Sequence, residues 1–365
     1  MRKLPDTCPN GQSQFVYAKL DVNCGQRSLH RIPENFRMNT PENKLIQKIL
    51  GKSSRSSDLR AGVRVGIGDD AALFVPRSGY ETILTCDWFL EGTHFLRDRH
   101  PADSVGWKCL ARAASDIAAM GGTPRCFLLS LALPGALTGR WLNGFLSGLR
   151  RASKKLNCPI AGGDTTRQER VLINVTVLGE VRRAAALLRS GARPGEIIYV
   201  SGRLGEAELG LATLRAMKGK IRTANSVLRK HLYPEPRVAL GHWLADHRLA
   251  TAAMDLSDGV STDLARLCAS SNVGAFIAEA KLAEAAVEHK SVPKWNNRLA
   301  LALNGGDDYE LLFTVARAKA RKIPSTYRGL KLTAIGEITR DKELKVMKLN
   351  GSTAAIKPAG WDPFA

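Results

Sequence analysis

The sequence has no apolar run approaching the eighteen or so residues that a membrane-crossing helix requires; its longest, at 127–134, is the size of a strand. Residues 1–37 are polar and mixed, with no apolar segment ahead of a small-residue cleavage site, so no secretory leader is expected and a cytoplasmic location is. No C-x-x-C pair occurs. The seven cysteines (Cys8, Cys24, Cys86, Cys109, Cys126, Cys158, Cys268) are odd in number and scattered, which argues against a disulfide framework and against a zinc site. Most lie in apolar runs, where a thiol behaves as a small hydrophobe. Phosphate-binding signatures are missing too: there is no G-x-x-x-x-G-K-[ST] loop, no G-x-G-x-x-G after a first strand, and no protein-kinase H-R-D and D-F-G set. No Ser/His/Asp or Cys/His arrangement stands out.

Acidic residues are in short supply. Against 54 Lys and Arg there are 34 Asp and Glu, giving a formal charge of +20 and a pI near 9.9. Such a balance can serve nucleic acid. Here the basic clusters, at 150–155 and 218–222, are not interleaved with aromatics, and no helix-turn-helix, RRM or KH signature accompanies them. No nucleic-acid partner is expected; the charge instead suits anionic small substrates, or solubility alone.

What is present is an ordinary globular composition, 44% hydrophobic and 24% charged over 365 residues, enough for two domains. Residues 1–37 have weak periodicity and read as a poorly ordered extension or a mis-assigned start, with Met38 the alternative beginning. The first domain is expected over 38–180 and the second over 181–365, the boundary marked by an Arg/Ala/Gly-rich passage containing Pro194. Patterning predicts helices at 41–50, 106–120 and 141–156 and strands at 71–75, 82–85, 127–133 and 171–177, the second strand ending at Cys86-Asp87. Strands at 197–200, 311–315, 332–338 and 344–349 follow, with helices at 206–217, 238–246 and 264–270, a mixed α/β (α+β) arrangement.

The scarce carboxylates are concentrated where glycines are. Asp69-Asp70 follow G-I-G, Asp87 follows Thr85-Cys86, and Asp164 follows Gly162-Gly163. Asp255 and Asp258 flank Leu256-Ser257, and Asp307-Asp308 follow Gly305-Gly306. Glycine lets backbone approach a ligand, and carboxylates are the hard oxygen donors magnesium prefers, so these turns suggest metal ions bridging phosphates. Asp and Gly are also ordinary turn formers, and any one such turn has that explanation; five in a basic chain ask for more. Asp116 sits within a turn of the C-terminal end of the 106–120 helix, where the macrodipole disfavours an anion by about 0.3–1 kcal/mol, so a cation is expected beside it. Among the histidines, only His94, in Glu91-Gly92-Thr93-His94-Phe95, lies in an unusual motif; it is either a packing residue or a substrate contact.

Seven segments occur in a characteristic order: GIGDDAALF (66–74), TCDWFLEGTHF (85–95), KCLARAASDIAAMGG (108–122), AGGDTTR (161–167), LLRSGARPGE (187–196), MDLSDG (254–259) and NGGDDYELLF (304–313). Together they resemble the thiamine-monophosphate kinase family. The resemblance implies the two-domain fold shared with aminoimidazole ribonucleotide synthetase: an N-terminal α/β domain whose sheet forms a homodimer, and a C-terminal α+β domain, with ATP between them. It implies magnesium at Asp70, Thr85, Cys86, Asp87, Asp116, Asp164, Asp255 and Asp258, ATP contacts at Gly163, Asp164, Arg189 and Ser257, and thiamine monophosphate contacts at His94, Asp307 and Trp361. Asp258 and Arg189 are the candidate catalytic residues. Two positions depart from the family pattern: Asp307 stands where Glu is common, and Cys86 where a hydroxyl residue is frequent, so any metal contact there falls to its backbone carbonyl.

The reaction implied is transfer of the γ-phosphoryl of ATP to the phosphate of thiamine monophosphate. That nucleophile is already ionised near neutrality and needs no general base, and the mutual repulsion of two anions is answered by cations, which suits an aspartate-rich, histidine-poor site. A sister ATP-dependent synthetase of the same fold, of the purine cyclo-ligase or selenophosphate type, is the alternative.

Overall fold

The computed structural model describes residues 41–50, 62–67, 70–217, 226–292, 294–361 and 364. The extension expected at 1–37, the basic cluster at 218–222, and Gly68 and Asp69 of the first acidic turn lie outside them. The first half runs α1 (Pro41–Leu50), β1 (Val63–Val65), β2 (Leu73–Phe74), β3 (Tyr80–Leu90), α2 (Ala102–Ala119), β4 (Thr123–Leu133), α3 (Arg140–Leu156), β5 (Ile160–Arg167) and β6 (Leu172–Arg182). β1 and β2 form a small antiparallel pair, so the strand expected at 71–75 shortens to two residues. The other four strands form a sheet in the order β3-β6-β4-β5.

β3 does not stop at Cys86-Asp87. It pairs with β6 in unbroken antiparallel register from Tyr80 opposite Arg182 to Leu90 opposite Leu172, which places Asp87 inside a strand. β5 likewise replaces the glycine turn expected around Gly162-Gly163-Asp164, running parallel to β4 as the sheet's edge. One sheet face, with Phe127, Leu129, Leu131 and Leu133 of β4, packs into a core with α2 and α3. The opposite face is covered in part, where Cys126 and Leu128 of β4 and Leu178 of β6 pack with Val63 of β1 and Phe74 of β2, and open along β3, where Leu84 is 68% and Trp88 55% exposed. This explains why β4 is a continuous apolar run rather than an alternation, since both of its faces are apolar.

α2 packs against elements of both halves of the described residues. It begins at Ala102, after Pro101 in extended conformation, and most of its residues are buried against α3, the sheet, α6 and β8. The contact with α3 needs glycine: a Cβ on Gly148 would stand 1.7 Å from the Asp103 carbonyl oxygen.

The second half comprises β7 (Ile197–Ser201), α4 (Glu206–Ala216), α5 (Ser226–Leu232), α6 (Val238–Asp246), β8 (Ala250–Leu256), α7 (Val260–Ser271), β9 (Gly274–Ala278), α8 (Glu279–Ala285), α9 (Trp295–Asn304), β10 (Glu310–Val315), α10 (Arg317–Ala320), β11 (Thr326–Tyr327), β12 (Leu330–Thr339), β13 (Leu344–Met347) and β14 (Thr353–Ala355). Its sheet has the order β14-β13-β9-β12-β7-β10-β8, with β11 on β12; only the β9/β13 pairing is parallel. β10 is buried throughout because Leu312 enters one core while Leu311, Phe313 and Val315 enter another on the opposite face. No helix among the described residues is long and apolar enough to cross a membrane.

Candidate active site

Three charged residues, Lys108, Arg112 and Asp116, recur every fourth position along the apolar α2, so they lie one above another on one face, about 6 Å apart along the axis. Each meets a different element. Asp116 accepts a hydrogen bond from the Thr85 hydroxyl of β3. Burial, and then the charge of Asp87, push the Asp116 carboxyl above its ordinary range, although Arg189 and Arg112 pull it down. These two arginines are the cations expected near the helix end. Asp255, at the end of β8, is pushed up to about 8 by burial and by the charge of Asp116, with lesser effects from Asp263 and Asp87.

Thr85, Asp116, Arg189 and Asp255 line a cleft of about 480 Å³, together with Ser190, Ser270 and a floor of apolar side chains. Among the described residues no three acidic, histidine or cysteine side chains are gathered tightly enough to hold a metal ion unaided. The donor set nevertheless suits magnesium, which is usually held by one or two carboxylates completed by water and phosphate oxygens. Two buried carboxylates that raise each other's affinity for protons are where a divalent cation relieves most repulsion.

Farther up α2, the buried Lys108 ammonium donates to Asp307 at 2.8 Å, and the Tyr309 hydroxyl donates to the other oxygen of the same carboxylate at 2.7 Å. Burial alone would raise the Asp307 carboxyl; Lys108, with His231 and Arg112, holds it well below the usual range, so it is an anion at neutral pH. Its backbone is left-handed, with φ of 66°, as is that of Tyr309 at 50°, conformations costly for side chains of these kinds. Hydrogen bonds from Asp307 N to Ser257 O (2.8 Å) and from Tyr309 N to Leu256 O (2.9 Å) hold that loop against the 254–259 segment.

His94 follows β3 and turns its Nδ1 toward the Leu90 amide, accepting at 3.0 Å, so its exchangeable hydrogen resides on Nε2. Burial, then Arg112, lowers its pKa to about 4, leaving a neutral ring with one N–H to offer. Trp361, from the far end of the chain, brings its ring to 5.6 Å from that of His94, and its amide donates to Asp258 O at 3.2 Å. The approach depends on Gly360, whose Cβ would stand 1.7 Å from the same carbonyl.

Thus Thr85, Asp87, Asp116, Asp255 and Arg189 come together, and His94, Asp307 and Trp361 gather around the upper part of α2. The side chains of the remaining candidates do not join these two groups, although the backbone carbonyls of Ser257 and Asp258 touch Asp307 and Trp361. Cys86 points to the other side of β3, donating to Asn174 Oδ1 at 3.2 Å, so its thiol does not join Asp116. Asp164 is level with Trp88 across the sheet but three strands away, roughly 14 Å at ordinary strand spacing. Gly163 lies beside it on β5, and the Asp70 loop starts there too, with Gly66 near Ala161. Asp258 is ion-paired with Arg266, and Ser257 and Asp258 both donate backbone amides to the buried Asp263 at 3.1 and 3.0 Å. The acidic turn at 304–310 divides in purpose. Asp308 caps α4 by accepting from Gly205 N and Ala207 N at 2.5 and 3.1 Å, and Glu310 is buried among Ser201, Lys230 and Arg237. These two carboxylates hold the fold rather than a ligand.

The chain matches the family described as AIR synthase related protein, its N-terminal domain over residues 68–181 and its C-terminal domain over 193–348. A thiamine-monophosphate kinase of Escherichia coli O157:H7 is 37% identical over 311 residues, covering 84% of this chain and 94% of the relative. The chain belongs to the thiamine-monophosphate kinase family. Among solved structures of the family, the thiamine-monophosphate kinase of Stenotrophomonas maltophilia K279a is 33% identical with a TM-score of 0.72, over 86% of this chain and 96% of that one. AaThiL complexed with AMPPCP and TMP is 32% identical with a TM-score of 0.68, over 82% and 92%.

Lys108 and Arg112 are the site residues that motif reading passes over. Their signal was available: two cations spaced four apart from each other and from Asp116, on a helix with little else polar.

Proposed function

We propose that this chain phosphorylates thiamine monophosphate to the diphosphate, using ATP as donor and magnesium as the companion ion. The observation that carries this is the charge row on α2. One helix joins an acid-lined cleft beside Arg189 to a cluster of a neutral histidine, an indole and an ionised aspartate. The first suits a magnesium triphosphate; the second suits a cationic, nitrogen-rich aromatic such as thiamine, with Trp361 for its ring, and Asp307 and His94 for its polar edge. A relative in complex with AMPPCP and TMP supports both assignments.

Thr85, Asp87, Asp116 and Asp255 would hold the magnesium, which when bound neutralises phosphate charge. Arg189, which lines the same cleft, would meet the transferred phosphoryl group. The acceptor phosphate attacks in line as an anion already, so no side chain need remove a proton, and none of the site histidines is placed to do so. Asp258, Ser257, Gly163 and the edge pair Asp70 and Asp164 belong to the same reading as further metal or nucleotide contacts. In one copy the Asp70 and Asp164 edge is separated from Asp116 by the sheet. A second copy docked on the exposed part of the sheet face, bearing Leu84 and Trp88, offers a route to joining them, and a homodimer is part of the proposal.

The test is formation of thiamine diphosphate and ADP from thiamine monophosphate as sole acceptor. ADP release only with an amide or selenide substrate would instead favour a sister synthetase.

A further inference from the structure

We infer that Arg112 is an anion-binding subsite that grips the phosphate of the acceptor substrate, an organic phosphate monoester, between its ring pocket and the phosphoryl donor. The inference rests on the functional reading above and deepens it. Arg112 occupies the middle of the α2 row, one turn from Lys108, which is committed to Asp307, and one turn from Asp116, which is committed to Thr85. Arg112 has an ion pair but not a hydrogen bond at its Nε. Its buried Nε has no hydrogen-bond partner, and the nearest carboxylate, Asp87, stands 3.7 Å away, within ion-pairing range but beyond a hydrogen bond. An orphaned buried N–H is costly and uncommon, and it marks a place where a ligand atom completes the bonding.

The position and shape of the group specify that ligand. The guanidinium lies 5.3 Å over the Phe89 ring, which faces the pocket residue His94 at 5.9 Å. Its charge acts on His94 and Asp307 on one side and on Asp116 on the other. Burial opposes its ionisation, but Tyr309, Asp87, Asp307 and Asp116 more than offset this, so the cation is permanent. A planar fork that is always charged and has an unbonded Nε matches the paired oxygens of a phosphate. A substrate ring seated at Trp361 and His94 would direct its phosphate along α2 toward the cleft, and Arg112 is the first open cation on that path. The nucleophilic oxygen would be held there in line with the donor.

The experiment compares the binding of thiamine monophosphate and of thiamine, which lacks the phosphate, to wild type, Arg112→Met and Arg112→Lys by titration calorimetry, alongside KM for ATP. Wild type is expected to prefer the phosphorylated ligand. Arg112→Met should lose about ten- to a hundredfold of its affinity for thiamine monophosphate, the scale of a lost charge-assisted hydrogen bond, while thiamine affinity and the KM for ATP stay unchanged. Arg112→Lys, which keeps the charge without the fork, should recover part of the loss; if the Met variant fails to fold, the Lys variant alone must still show a reduced preference. A wild-type preference in the folded variants, or equal loss for both ligands, overturns the inference alone. Wild-type enzyme that forms no thiamine diphosphate overturns the functional reading and this inference with it.

Discussion

Breaking the Lys108–Asp307 pair one side at a time should cost far more than removing both. The Lys108 side chain is 1% exposed and its nitrogen lies 2.8 Å from the carboxylate. If Asp307→Asn removes the anion, the ammonium faces Arg112 with only Glu208 as a weaker counter-charge. Its escape is to release its proton, which at pH 7 costs about 1.36 kcal/mol for each of the roughly 3.4 units below its ordinary pKa, so the penalty is capped at about 4–5 kcal/mol. Lys108→Met leaves the carboxylate, whose escape by protonation is capped at about 4 kcal/mol on the same reasoning, and Arg112 still offsets part of that. The aspartate variant should therefore be the less stable single. In the double variant Lys108→Met/Asp307→Asn neither charge remains, and the coupling energy should be roughly 2–4 kcal/mol. Urea unfolding at pH 7 of the four proteins completes the cycle. A coupling energy below about 0.5 kcal/mol would refute the argument, because it would mean that water already screens the pair.

Asp116→Asn should raise the magnesium concentration for half-maximal phosphoryl transfer at least about tenfold while leaving the melting temperature unchanged or higher, since it removes a carboxylate disfavoured by burial and by Asp87; rate against magnesium, with calorimetry, checks both. Leu84→Asp with Trp88→Glu, placing two charges on the exposed β3 part of the sheet face, should convert a dimer to monomer in sedimentation velocity without unfolding it. His100, buried against His231 at 3.0 Å, has its pKa lowered to about 4, by burial first and then by Lys108. The unfolded chain takes up a proton near pH 6.5 that the folded one refuses until about 4. The His100 contribution is therefore complete above that window and is lost as the pH drops through it, by on the order of 3 kcal/mol; urea unfolding at pH 7.5, 5.5 and 4.5 should show a decline to which His94 and His231 add in the same sense, and His100→Gln should make it shallower.

Much of the fold was legible because apolar spacing fixes which face of an element is buried. α1 and α3 emerge almost as the periodicity predicts, and β4 and β10 were marked by their unbroken apolar runs. What was missed has a common cause. β8, with the sequence ATAAMDL, is too rich in alanine to announce a strand, and is one because β10 pairs along it. β5 contains two successive glycines, a local turn signal overridden by the ladder with β4. β3 runs past Asp87 because eleven paired positions on β6 outweigh one residue of poor strand preference. In each case a long-range partner decided what the local sequence left balanced.

The site was legible only in part, because an acidic residue beside glycine has the same local signature whether it awaits a cation, caps a helix or balances a buried arginine. Asp307, Asp308 and Glu310 show this within four positions: one meets Lys108 at the candidate pocket, the next caps α4, and the third pairs with Lys230 and Arg237. The discriminating quantity is what opposes each carboxylate once the chain is folded. Asp308 and Glu310 find amides and cations inside the protein, so their valence is spent. For Asp116 burial and Asp87 outweigh Thr85, Arg189 and Arg112, and for Asp255 burial and Asp116 dominate, so the ionisation of both is disfavoured until a further positive charge arrives. Arg112 is the converse, a buried donor still lacking an acceptor. Unspent valence of both signs along a single helix face is therefore a sharper pointer to a site for metal-bound phosphates than the number of acidic turns, and it can be read only after folding has settled the other accounts.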